Sequence, residues 1–188
     1  MVEGSAAVLQ LAYHISHACL GRRRLALQTG LTEMTVRIEL ERLRDRRLVR
    51  LQRSGVELTP AGRRRFARFL KPIRSVAEVK LTSLRVDDVG LAAHLAPGDT
   101  GPVWTLRDEA VREGASGLLL LRFGPKGWSF AHNDEPIHLH NKRDAATIDE
   151  TFAEPREGDL LLIASGPELK RAGLGLWRAI FTVLAATS

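Results

Sequence analysis

Three consecutive arginines, Arg22, Arg23 and Arg24, stand upstream of a segment whose outward positions carry Glu33, Met34, Thr35, Arg37 and Ile38. Clustered guanidinium groups neutralise phosphates, and side chains on the first turns of a helix can reach base edges in a major groove. Arg37 has the donors to read guanine through O6 and N7. Thr35 could bond a phosphate or meet a thymine methyl, and Glu33 could accept from cytosine N4 or complement a helix dipole. Arg47, Arg50 and Arg53 place more positive charge just downstream. These residues point to double-stranded DNA as a partner. The competing readings are a solvated arginine-rich face, which suits Arg63, Arg64 and Arg65, and a domain of this type that docks on protein.

The elements that must position these groups follow from spacing. Val8, Leu11, Ala12, Ile15 and Cys19 recur at helical intervals and predict a helix over 5–19, with Cys19 as a small core residue. Arg22–Gln28 form a second short helix, and Gly30 supplies the turn. Thr32 is the N-cap of a third helix from Glu33 to about Arg46, with Val36, Leu40 and Leu43 on its buried face. Leu48–Gln52 and Val56–Thr59 read as strands around Arg53-Ser54-Gly55. Pro60 then opens a fourth helix whose stripe is Phe66, Phe69, Leu70 and Ile73. Three helices, a hairpin and a helix make a winged helix over residues 1–74, which puts Arg47, Arg50 and Arg53 at its wing.

Charge supports that division. Residues 1–75 carry 16 Lys/Arg against 6 Asp/Glu, whereas residues 76–188 carry 12 against 16, so the polyanion partner belongs to the first part. An apolar content of 44% suits a packed core and argues against disorder. A single cysteine excludes an internal disulfide and a Cys-based zinc finger and fits a reducing cytoplasm. No signal sequence is visible, and the apolar stretch Leu174–Ala186 is short and broken by Arg178, so no membrane is expected.

Residues 75–188 read as a small α/β domain with a mixed sheet, and the whole chain as α+β. Strands are expected at Glu78–Arg85, Val89–Leu95, Gly117–Phe123, Trp128–His132 and Asp159–Ala164. Helices are expected from a capping box at Thr105 and Asp108 to Gly114, over Asp144–Phe152, and from a second capping box at Ser165 and Glu168 to Ala186. The last helix is apolar on several sides, which suggests a homodimer through it.

His132, Asp134, His138 and His140 fall within nine residues, and an extended segment would set His138 and His140 on one face for a divalent metal such as zinc or nickel. The plain alternative is a polar loop with exposed histidines and no cofactor. The turn before Glu168 offers helix-end N–H groups to an anion, but it has no glycine-rich signature. Arg107, Asp108 and Glu109 suit capping and surface roles. Trp104, Trp128 and Trp177 suit core packing, a small pocket or a subunit contact. No P-loop, GxSxG or kinase signature occurs in residues 76–188.

The segment GRRRLALQTGLTEMTVRIELERLRDRRLV resembles the N-terminal winged helix of the bacterial central glycolytic gene regulators. The shared pattern is G-R-R-x-L-A…G-L-[ST]-E-x-T-V-R-x-E-L-x-x-L. The resemblance implies that Arg23, Thr32, Thr35 and Arg37 lie on a DNA-facing side. The chain as a whole is similar to an archaeal family with a winged helix followed by a C-terminal domain of uncharacterised function. That likeness rests on RDEAVREGASGLLLLRF (107–123), GDLLLIAS (158–165) and the closing Ala/Leu-rich helix. It implies no effector class. The expectation is a transcriptional regulator that forms a homodimer and answers to a small-molecule effector. The alternatives are an enzyme carrying a winged helix and a protein-interaction module.

Overall fold

The computed structural model describes residues 5–186 and divides into two compact units, Met1–Lys71 and Pro72–Ser188. The first unit contains helices α1 (Ala6–His17), α2 (Arg22–Thr29) and α3 (Glu33–Asp45). The wing strands β1 (Val49–Gln52) and β2 (Gly55–Leu58) follow, and then α4 (Pro60–Leu70). Short polar caps fix the helix starts. Ser5 Oγ accepts from the Val8 N–H at 3.2 Å, Thr32 Oγ1 from Thr35 at 3.1 Å and Thr59 Oγ1 from Gly62 at 3.0 Å. Val8, Leu11, Ile15, Leu25, Val36, Leu40, Leu43 and Phe66 are buried at the helical spacing seen in the sequence.

The wing is antiparallel, with Arg50 opposite Glu57 and Gln52 opposite Gly55. Val56 also donates its N–H to the Leu20 carbonyl at 3.0 Å, an isolated bridge that ties the segment after α1 to the wing. Cys19 therefore does not continue α1 into the core. It is exposed, with Sγ 3.6 Å from Ser54 Oγ at the wing turn. Gly62 lets α4 approach the wing: a Cβ there would lie 2.0 Å from the Leu48 carbonyl oxygen.

The second unit is built on a five-stranded sheet of order β3-β4-β7-β5-β6. Its strands are β3 (Ile73–Val79), β4 (Val89–Leu95), β5 (Gly117–Gly124), β6 (Gly127–Phe130) and β7 (Leu160–Gly166). Its helices are α5 (Val103–Arg112), α6 (Lys142–Thr151) and α7 (Leu169–Ala186), with a 3-10 turn at Ile137–Leu139. Val79, Ala92, Leu121, Trp128, Leu161 and Ile163 form one core with Ile137 and the α6 residues Ala145 and Ile148. The alternate positions Leu91, Leu95, Leu120, Leu160 and Leu162 face the other side, where α5 and α7 pack.

Every strand pair is antiparallel, so the sheet is not mixed as expected. The pattern β4–α5–β5 does give two strands running the same way. The last strand, β7, then inserts between them and opposes both.

Local expectations shift for physical reasons. The strand expected at Glu78–Arg85 ends at Val79, because the buried Asp144 carboxylate ties down the next residues. It accepts from the Thr82 and Leu84 N–H groups at 2.7 and 2.8 Å and from the Thr82 and Ser83 hydroxyls at 2.6 and 2.9 Å. Neither capping box forms. Thr105 lies inside α5, which starts after Pro102, and Ser165 lies within β7, paired with Gly90 and Gly117. The final helix α7 is mostly buried, packing on β7, β4 and α5 of its own chain, so its apolar surface supplies no argument for a dimer.

Candidate nucleic-acid interface

The first unit presents one group of exposed cations, Arg22, Arg23 and Arg37, around the start of α3. Gly30, at φ +69°, ends α2, and Thr32 caps α3 through its bond to the Thr35 N–H. That start turns Val36, Leu40 and Leu43 inward and leaves Glu33, Met34, Arg37 and Ile38 exposed. Met34 is 63% and Ile38 40% exposed, an apolar pair on an otherwise charged face. Arg22, Arg23, Glu33, Met34 and Arg37, with Gly21, line one open cleft of about 590 Å³. Arg24 is also exposed but lies outside that lining.

Neighbours hold several of these groups. Arg37 Nε lies 2.9 Å from Glu41 Oε1, and Arg23 Nε lies 3.6 Å from Glu33 Oε1. Thr35 is half-buried, and its hydroxyl shares a hydrogen with Thr32 Oγ1 at 2.8 Å, so it serves the cap as well as the surface. On the wing, Arg53 is exposed at the turn, while Arg50 meets Glu57 at 3.1 Å. Arg47 is exposed at the end of α3 with φ +59°, and its carbonyl accepts from the Thr59 hydroxyl at 2.7 Å. Glu41 and Glu57 were not singled out in the sequence. The i,i+4 spacing of Arg37 and Glu41 was a readable signal. The partnership of Arg50 and Glu57 depends on wing register and was not.

The histidine-rich segment of the second unit is not extended. Pro136 leads into the 3-10 turn, which contains His138 and is capped by His140. His132 lies tilted against Phe130, with ring centroids 5.6 Å apart. His140 Nε2 lies 3.2 Å from Glu135 Oε1. Desolvation raises the pKa of Asp149, and the charge of His138 opposes it. Asp134 adopts φ +56° in the turn after β6. Among the described residues, no three His, Cys, Asp or Glu side chains are grouped to hold a metal ion. Glu109 pairs with Arg178 and so ties α5 to α7. Trp128 and Trp177 are core residues, whereas Trp104 is 66% exposed. Among the described residues, no helix is long and apolar enough to cross a membrane.

Comparisons with known proteins divide along the same lines. Residues 8–72 match the family described as the CggR N-terminal DNA binding domain. Residues 88–183 match the family described as a domain of unknown function, DUF4443. A comparison with curated proteins gave no match. Among solved structures, a hypothetical protein from Pyrococcus horikoshii OT3 has the same fold. The TM-score is 0.76 at 20% identity, over 99% of this chain and 94% of that one.

Proposed function

The chain belongs to the DUF4443 family and carries a CggR-type DNA-binding domain ahead of the DUF4443 domain, and we propose that it is a transcriptional regulator whose second unit pairs subunits and senses a small molecule. The observation that carries this reading is the convergence of Arg22, Arg23, Met34 and Arg37 on one open cleft beside the capped start of α3. In this reading α3 enters the major groove. Arg37 and Glu33 address base edges, and Met34 and Ile38 meet thymine methyls. Arg22, Arg23 and Arg24 hold phosphates beside the helix, while Arg47, Arg50 and Arg53 hold the backbone or minor groove at the wing. Thr32 and Thr35 set the helix start. One recognition helix covers few base pairs, so two copies on adjacent half-sites are the simplest specific assembly.

The test is binding to duplex DNA across a salt series. Several phosphate contacts give a log–log slope of about −5, and replacing Arg22, Arg23 and Arg24 by alanine should reduce its magnitude by about 2 to 3. Binding that ignores salt, or a triple variant with an unchanged slope, would reject this reading.

A further inference from the structure

Beside the edge strand β3 lies a cavity of about 470 Å³ whose lining includes Arg74, Ser75, His94, Phe152, Glu154 and Arg156. A break in strand register helps to build it. From Val79 opposite Gly90 to Ser75 opposite His94 the two strands stay in step, but the next pair is Ile73 with Leu95. Arg74 is thus the extra residue of a bulge, a feature that re-aims a side chain and recurs at the rims of sites. Its Nη2 reaches Asp159 Oδ1 at 2.9 Å.

Asp159 is fully buried and joins three segments. Its Oδ2 accepts from His94 Nε2 at 2.8 Å and from the Arg156 N–H at 2.9 Å. Desolvation alone would raise the carboxyl pKa. The bonds from Arg156, His94 and Arg74 more than offset it and hold the group below its ordinary value. An ionised Asp159 assigns the Nε2 proton to His94 and leaves Nδ1 as the uncommitted ring atom. Among the described residues Nδ1 has no hydrogen-bond partner, although His94 is only 3% exposed. Edge contacts with Trp128 and Phe152, at centroid distances of 5.7 and 6.1 Å, fix the ring.

The network satisfies Asp159 and leaves donors over. Arg74 gives one hydrogen bond to the carboxylate, and 29% of its side chain stays exposed. Arg156 contributes its backbone to Asp159, while its residue is exposed at the cavity rim. The lining carries two guanidinium groups, Arg74 and Arg156, against one carboxylate, Glu154, and Asp159 is buried outside it. We propose that this cavity binds the carboxylate or phosphate group of a small metabolite, with Arg74, Ser75 and Arg156 as donors, the His94 ring beside them and Phe152 as the apolar wall. The site does not rest on DNA binding by the first unit, so either reading can fail without the other.

The experiment follows the His94 ring nitrogens by long-range proton–nitrogen NMR in the full chain. Sodium phosphate and sodium succinate are titrated separately, with sodium chloride at matched ionic strength as control. A saturable His94 shift with phosphate or with succinate is the expected result and identifies the head group. Arg156→Ala should weaken that binding about tenfold, the loss expected for one charge-assisted hydrogen bond. Its fold should persist, because only its backbone supports Asp159. Arg22→Ala/Arg23→Ala/Arg24→Ala should bind the anion as the unaltered protein does. Flat titrations with both anions, a shift that chloride reproduces, or an Arg156→Ala protein that binds undiminished would overturn the proposal.

Discussion

Arg37 and Glu41 stand one helical turn apart on α3 and meet in an ion pair, Nε to Oε1, at 2.9 Å. In the reading proposed above, Arg37 must leave Glu41 to reach a base. The pair is exposed on both sides, at 57% and 41% of side-chain area, so its strength is modest. Exposed pairs contribute roughly 0.2–1 kcal/mol, which corresponds to about a 1.4-fold to fivefold change in affinity. Glu41→Gln is therefore expected to tighten duplex binding by that factor at fixed salt. Arg37→Ala should instead lose roughly 1–3 kcal/mol and relax discrimination at one base pair. Binding isotherms against a panel of single-base variants measure both, and a Glu41→Gln protein that binds more weakly would separate Arg37 from base reading.

Arg47 occupies the left-handed region at φ +59°, where the chain leaves α3. Its N–H meets the Arg44 carbonyl at 2.7 Å, and the Leu48 N–H meets the Leu43 carbonyl at 2.9 Å, a helix ending that usually takes glycine. An arginine there carries strain of roughly 1 kcal/mol. Arg47→Gly should raise stability by up to that amount while reducing the magnitude of the DNA salt slope by about one. Thermal melts and a salt series separate the two effects, and a lower melting temperature would show that the backbone strain is not relieved.

Gly62 in α4 has the opposite sign. Alanine ordinarily favours a helix over glycine by about 1 kcal/mol. Here its methyl would lie 2.0 Å from the Leu48 carbonyl oxygen, an atom of the backbone that cannot rotate away. Gly62→Ala is expected to destabilise the first unit by roughly 1–3 kcal/mol, the usual cost of overpacking, and to displace the wing from α4. Chemical denaturation of the variant checks this, and a neutral or stabilising result would rule out so close an approach.

The first unit was legible because local signals settled it. Thr32 and Thr59 cap the helices that the sequence started there, Gly30 ends α2, and Val36, Leu40 and Leu43 face inward at their expected spacing. The second unit was less legible because its organisation is nonlocal. The insertion of β7 between β4 and β5 leaves no mark in the residues near either strand. Asp144 and Asp159 read as ordinary polar residues beside apolar runs, since their donors lie 60 or more residues away or come from backbone N–H groups. Ser165-x-x-Glu168 had the spacing of a cap but was claimed by the strand, because its pairing with two neighbours fixes Ser165 in the sheet. The segment carrying His138 and His140 is not extended as expected, because Pro136 leads into a 3-10 turn.

Stability should fall in two separate pH windows, one in each unit. In the first unit, partial burial and the neighbouring His17 lower the His14 pKa below its ordinary 6.5. The folded state then binds protons less readily than the unfolded chain. Its contribution is present above pH 6.5 and is lost as pH falls from there through the lowered folded value. In the second unit, desolvation of Asp144 and Asp159 is outweighed by hydrogen bonds from Thr82, Leu84 and Ser83, and from Arg156, His94 and Arg74. Both carboxyls lie below their ordinary 3.8, so their contribution is intact near neutrality and is lost only as pH drops below that value. Denaturation followed as a function of pH should show an early loss that His14→Gln removes and a later one that it leaves in place. Asp144→Ala should lower stability at pH 7 by roughly 2–4 kcal/mol, because the N–H groups of Thr82 and Leu84 lose their acceptor. A second unit equally stable with and without that carboxylate would show that the 82–84 segment is held by other contacts.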